Sequence, residues 1–167
     1  MGFPSGEKSS IVSVPKLILD SNNKEIYAKF LRGLFDTDGN LYFSRRTSKS
    51  YIEFKRKYNY YPIIQIATVS EKLSKEISFM LNKLLIKHFL SSYQPKDIRD
   101  KRKYIVIING VDRLEKWMEF IGIKNPVKFT RYLIWKKFGF CPPHTTLEQR
   151  KDILNGKLDI YNVIRGL

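Results

Sequence analysis

Asp36 and Asp38 stand two apart, are followed by Gly39, and close the run FLRGLFDTDG over residues 30–39. Carboxylates are hard oxygen donors. Two of them near one point can hold a divalent cation, share nucleophilic and acid/base work, or sit in a solvated acidic turn. The residues before them predict what positions the pair. Ile26, Phe30 and Leu34, with Tyr27 and Leu31, recur at helical spacing and predict one apolar face of a helix over about 23–37. Asn22 is the expected N-cap, with Glu25 completing a capping-box-like pair. Gly33 and Thr37 are small and four apart, so a second backbone could approach that side of the helix closely. Gly39 is the expected left-handed residue at the helix end.

Three chemistries compete for D-x-D-G. An EF-hand loop beginning at Asp36 needs glycine at its sixth position and glutamate at its twelfth, and those positions hold Leu41 and Thr47. FDTDGNL also resembles the nucleophile strand of haloacid-dehalogenase-type phosphatases. A buried parallel strand reads as a continuous apolar run, whereas Lys29, Arg32 and Gly33 interrupt this one at helical spacing, and no later pair of adjacent acids is available for magnesium. Leu31-Arg32-Gly33-Leu34-Phe35-Asp36-Thr37-Asp38-Gly39 resembles the motif of the LAGLIDADG homing endonucleases at seven of nine places, with Phe35 accepted for isoleucine and Arg32 and Thr37 replacing the two alanines.

Composition fits a nucleic-acid partner. The 167 residues are 43% hydrophobic, enough for one real core, and carry a net charge of +15. Such an imbalance points to a polyanion. No segment approaches the ~18 uninterrupted apolar residues of a membrane span, and no signal-peptide pattern opens the chain. Cys141 is the sole cysteine, so an internal disulfide and a cysteine-built zinc site are both excluded. The expected setting is intracellular and reducing, either cytoplasmic in a prokaryote or organellar.

The expected order of elements is an extended N-terminal arm over 1–21, a core over 22–140 and a helical extension over 141–167. Alternation predicts strands over 40–46, 51–57 and from Pro62, with TSKS as a hairpin turn. Ser70 is expected to cap a helix running to about Lys87, followed by strands over 88–95 and 104–108. Further helices are expected from Asn109 to Gly122, from Asn125-Pro126, and from a Thr145/Glu148 capping box to Gly156. This is similar to the α+β, αββαββα core of the LAGLIDADG family with its curved antiparallel sheet, over about residues 22–138, and IATVSEKL over 66–73 resembles its strand-to-helix junction.

The resemblance implies a function. Members with one motif form homodimers, and this chain has one, so the Gly33/Thr37 face is the implied dimer contact. Asp38 matches the metal-binding acid, the Thr37 carbonyl is the implied second ligand, and Mg2+ or another divalent cation such as Mn2+ is the implied cofactor. Asp36 stays divided between support and site. The implied activity is double-strand cleavage of a long, pseudo-palindromic DNA site, with an intron or intein association. The alternatives are an RNA maturase or a DNA-binding protein that has lost cleavage. The outward strand residues Tyr42, Ser44, Arg46, Tyr51, Glu53, Lys55, Lys57 and Gln65 are candidates for base contacts. Lys96, Arg99, Lys101, Arg102 and Lys103, with Lys128, Arg131, Lys136 and Lys137, are candidates for phosphates. The sequence departs from the family where glutamine and lysine often end the third strand. Thr68 and Val69 stand there, Thr68 being the candidate to orient a water, and Lys103 or Arg113 is the candidate to replace a missing basic residue.

Overall fold

A computed structural model describes residues 11–45, 59–97 and 99–165. The motif helix α2, Lys24–Asp38, starts one residue later than the sequence implied. Asn23 is the cap, its side chain accepting from Glu25 N at 2.8 Å and Ile26 N at 3.3 Å. Asn22 instead takes a left-handed turn at φ 44°, so it cannot supply the extended backbone of a cap. The chain before it is not wholly extended: Lys16–Asp20 forms a short helix, α1. The arm is held against the next layer by Val14 N donating to Glu76 at 2.7 Å.

Four strands follow, β1 Gly39–Ser44, β2 Tyr61–Thr68, β3 Phe89–Tyr93 and β4 Lys103–Asn109. They form one antiparallel sheet in the order β1-β2-β4-β3. The strand expected over 51–57 and the TSKS turn lie outside the described residues. The segment opening near Pro62 pairs directly with β1, Leu41 opposite Ile64. With α3 (Glu71–Lys83) between β2 and β3 and α4 (Val111–Phe120) after β4, the described elements from α2 to α4 run αββαββα.

Strand alternation builds the core. Leu41, Phe43, Ile64, Ile66, Val106 and Ile108 are buried on the inner face. Against them pack Tyr27, Leu31 and Phe35 of α2, Leu73, Ile77 and Met80 of α3, and Leu114 and Trp117 of α4. Phe35 meets Trp117 edge-on with ring centres 5.1 Å apart. The core face of α2 is therefore rotated from the expected one. Phe35 is fully buried, whereas Ile26 is 39% exposed and Phe30 and Leu34 are half-buried.

Several boundaries shift for local reasons. Ser70 caps α3 as expected, accepting from Leu73 N at 3.1 Å, but the helix ends at Lys83 because Leu85 turns left-handed at φ 58°. Asn109 remains in β4 opposite Ile63, and Gly110 at φ 106° makes the turn into α4. Asn125 and Pro126 start α5, Pro126–Phe138, as expected. The capping box of α6, Leu147–Leu154, is Thr146 with Gln149, because the Thr145 carbonyl and hydroxyl are both taken by Arg150. The chain then forms α7, Ile160–Arg165, beyond the expected end at Gly156. The last helices are not a loose tail. Cys141 N donates to Asn59 O at 3.0 Å, and the fully buried Arg150 donates to Thr130 Oγ1 at 3.0 Å.

Candidate active site at the end of the motif helix

The last turn of α2 holds two carboxylates with different surroundings. Asp36 is tied to the start of α5. Its carboxylate accepts from Lys124 N at 3.2 Å and Asn125 N at 3.0 Å, and its own carbonyl accepts from Asn125 Nδ2 at 2.9 Å. Asp36 is thus committed to bracing a loop 88 residues away in sequence. Asp38, two residues on, is exposed at the helix end, with the Thr37 hydroxyl 3.3 Å from its carboxylate.

Unpaired carbonyls at a helix end need donors. Gly39 does not supply the left-handed cap expected of it. Its φ is −75° and it leads straight into β1. It must be glycine for another reason: a Cβ there would overlap the Phe35 ring. The donor comes instead from α5. The buried Lys128 ammonium bonds the carbonyls of Phe35, Asp36 at 2.9 Å and Thr37 at 3.3 Å, and lies 5.0 Å from the centre of the Phe35 ring. A cation there complements the negative end of the helix dipole. Burial pushes the Lys128 ammonium below the ordinary lysine value, while Asp36 and Asp38 pull it up. Lys128 is therefore not the surface phosphate contact expected from its charge. Its spacing after the Asn125-Pro126 cap puts it on the first turn of α5, but which neighbour that turn meets depends on tertiary packing.

Sheet register orders the rest. Gly39 pairs with Ile66, which pairs with Val106, so the end of α2, the end of β2 and the start of β4 share one rim. Thr68 lies on that rim opposite Tyr104, and Lys103 follows one residue further out. Thr68 Oγ1 accepts from Ser70 N at 3.1 Å, at the turn into α3. Arg113 is at the opposite end of β4, bonded to Asn109 at 2.8 Å and stacked over Phe89 at 5.1 Å. Lys103 rather than Arg113 therefore lies on the rim of Asp38. Tyr42, Ser44 and Gln65 point to the outer side of the sheet, away from the core. Arg99 is paired with Asp97 at 2.7 Å, and Lys101 is half-buried. Arg46, Tyr51, Glu53, Lys55 and Lys57 lie outside the described residues.

One chain offers a cation the exposed Asp38 carboxylate and a Thr37 carbonyl that it shares with Lys128. Among the described residues no three His, Cys, Asp or Glu side chains form a metal cluster. This donor set fits an ion such as magnesium, which keeps waters and shares ligands with phosphate, and does not fit an all-protein cage. The outer face of α2 is open. Gly33 and Thr37 are exposed, and a Cβ on Gly33 would meet nothing within 4 Å. Thr37 turns its hydroxyl back onto the Leu34 carbonyl at 3.0 Å.

The described elements define an α+β protein with an αββαββα core, whose first helix ends in an exposed aspartate at a sheet rim. A family model described as a LAGLIDADG-like domain matches residues 25–122, and the chain belongs to the LAGLIDADG family of homing endonucleases and maturases. No curated protein matches the chain. No helix among the described residues is long and apolar enough to cross a membrane.

Proposed function

We infer that the protein is a site-specific endonuclease of double-stranded DNA, working as a homodimer with one Asp38 serving each strand. The observation that carries this reading is the division of labour in the last turn of α2. Asp36 and Lys128 are consumed in holding the turn, and Asp38 is left exposed at its tip. Family membership and the +15 charge support a DNA partner. The exposed Ile26, Gly33 and Thr37, with the half-buried Phe30 and Leu34 between them, support a twofold contact through α2, because an isologous interface uses one patch twice. Such packing brings two Asp38 carboxylates near the axis, each facing one strand.

Asp38 and the Thr37 carbonyl would hold a Mg2+ or Mn2+ ion, which when bound supplies positive charge at the scissile phosphate and an activated water. The Asp36 and Lys128 contacts hold the helix turn that carries Asp38, and Lys103 stands on the same rim, where an ammonium can offset phosphate charge. Basic residues away from the sheet, such as Lys124 and Lys137, are exposed and suited to phosphates. An intron or intein association accords with this activity.

One observation favours a second reading. The Thr68 hydroxyl already accepts from Ser70 N, which leaves less of it to orient a water. A maturase or DNA-binding protein on the same fold would need no such group. Selection from a randomised duplex library, run with magnesium for cleavage and calcium for binding, separates the two. Recovery of cut, near-palindromic sites supports the endonuclease. Recovery of bound but uncut sites, or retention of structured RNA alone, supports the second reading.

A further inference from the structure

Two cations of α5 bracket the segment that carries Asp38. Lys128 and Arg131 stand three apart, which puts both on one side of that helix. Lys128 grips the chain before Asp38, its ammonium bonded to the carbonyls of Phe35, of Asp36 at 2.9 Å and of Thr37 at 3.3 Å. Arg131 grips the chain after it, Nη1 donating to Asn40 Oδ1 at 3.2 Å and to the Leu41 carbonyl at 2.9 Å. An ammonium has three donors, and here uncharged carbonyls answer them. Among the described residues neither cation forms an ion pair, so both charges stay on the site. Burial pushes the Lys128 ammonium down, Asp36 and Asp38 pull it up, and Arg131 adds to the downward push, so these charges lie within reach of one another.

Asp36 is held by Lys124 N and Asn125 N, which leaves the exposed Asp38 to meet a cation. The Thr37 carbonyl belongs to the negative end of α2, and Lys128 already offsets that end. One free carboxylate against a buried ammonium and a half-buried guanidinium offers a divalent ion no surplus of negative charge. We propose, resting on the duplex-DNA reading above, that Lys128 is a positioning residue that also holds off the divalent cation, so that the Asp38 site is weak for metal in the free protein and becomes tight when a DNA phosphate adds its charge. Magnesium is commonly held by one or two carboxylates together with substrate phosphates, and a site balanced in this way takes metal and duplex together. The sign of the effect separates this role from a structural one. If Lys128 served α2 only as a cap, its loss would loosen the turn and weaken metal binding. If its charge repels the metal, neutralising it strengthens metal binding.

Calcium binding by calorimetry, with and without a duplex selected in calcium, tests this, uptake at the site being the part lost in Asp38→Asn. Wild type is expected to bind calcium at least about tenfold more tightly with duplex than without it. Lys128→Gln keeps an N–H donor for the carbonyls and removes the charge. It is expected to tighten calcium binding by the duplex-free protein about tenfold, as expected for a like charge removed from within a few ångströms. Lys128→Arg keeps the charge and is expected to stay as weak as wild type. Arg131→Gln leaves the cap of α2 in place and is expected to shift the affinity in the same direction as Lys128→Gln. The wild-type comparison stands even if Lys128→Gln does not fold. Equal calcium affinity of wild type with and without duplex overturns the proposal, as does a folded Lys128→Gln that binds calcium no better than wild type, and either result leaves the endonuclease reading standing. Absence of Asp38-dependent calcium uptake by wild type even with the duplex overturns both.

Discussion

The ammonium of Lys128 lies 2.9 Å from the carbonyl oxygen of Asp36, so a residue of α5 caps the helix that presents Asp38. Hydrogen bonds from a charged donor contribute about 1.5–3 kcal/mol, and their loss leaves buried carbonyls unpaired. Lys128→Met is therefore expected to lower unfolding stability by roughly 2–3 kcal/mol in urea denaturation. A change within about 0.5 kcal/mol would mean that water replaces the ammonium without cost.

Asp36 should behave as a brace. Asp36→Asn removes the charge that holds Lys124 N and Asn125 N and is expected to cost about 1 kcal/mol of stability. Its effect on cleavage should follow that loss and be rescued by lower temperature. A full loss of cleavage with unchanged stability would assign Asp36 to the chemistry instead.

Two glycines of one helix run should respond in opposite ways. Gly33 faces open space, and leucine is a better helix former, so Gly33→Leu is expected to preserve or raise the stability of the single chain by up to about 1 kcal/mol. It should also split the dimer, which sedimentation would register as one-chain mass. Gly39→Ala sets a Cβ against the Phe35 ring and is expected to destabilise the fold by about 1–3 kcal/mol. Equal effects of the two substitutions would contradict the assignment of the Gly33 side to a partner.

The course of α2 shows how far the sequence could be read. Its period, its polar N-terminal cap and its aspartates were legible because they are local, and the strand alternation of Leu41/Phe43 and Ile64/Ile66 was legible for the same reason. The rotation of the core face towards Phe35 was not, because Ile26 and Phe30 are as apolar as the residues that are buried. The role of Gly39 is not legible in the sequence, because glycine serves both left-handed caps and close contacts, and only the neighbouring Phe35 ring distinguishes them. Lys128 and Asp36 meet across 92 positions, and neither end of that contact carries a local signal. The α7 helix could have been found: Asp159 caps it, accepting from Tyr161 N at 2.9 Å, and Ile160, Val163 and Ile164 repeat at helical spacing.

Cys141 is buried, and burial pushes its thiol up to about 12 from an ordinary value of 9.0, with Arg150 and Arg131 pulling the other way. The thiolate is the reactive form, so native protein at pH 8 is expected to react with a disulfide reagent far more slowly than unfolded protein. The folded value lies above the unfolded one. This thiol's contribution to stability is therefore whole below pH 9 and is lost as pH rises towards 12. Cys141→Ala should remove that part of the alkaline decline. Rapid native labelling at pH 8 would show that the segment around Cys141 opens readily.

The exposed Asp38 carboxylate is the centre of the account, and cleavage of one selected duplex by wild type and Asp38→Asn, with binding measured on the same samples in calcium, tests it most directly. Asparagine keeps the size and removes the charge that holds a hard cation. The expected result is magnesium-dependent double-strand cleavage by wild type, none by Asp38→Asn, unchanged stability, and duplex affinity equal or higher because repulsion between two facing carboxylates is relieved. Cleavage by Asp38→Asn at the wild-type rate would contradict the account.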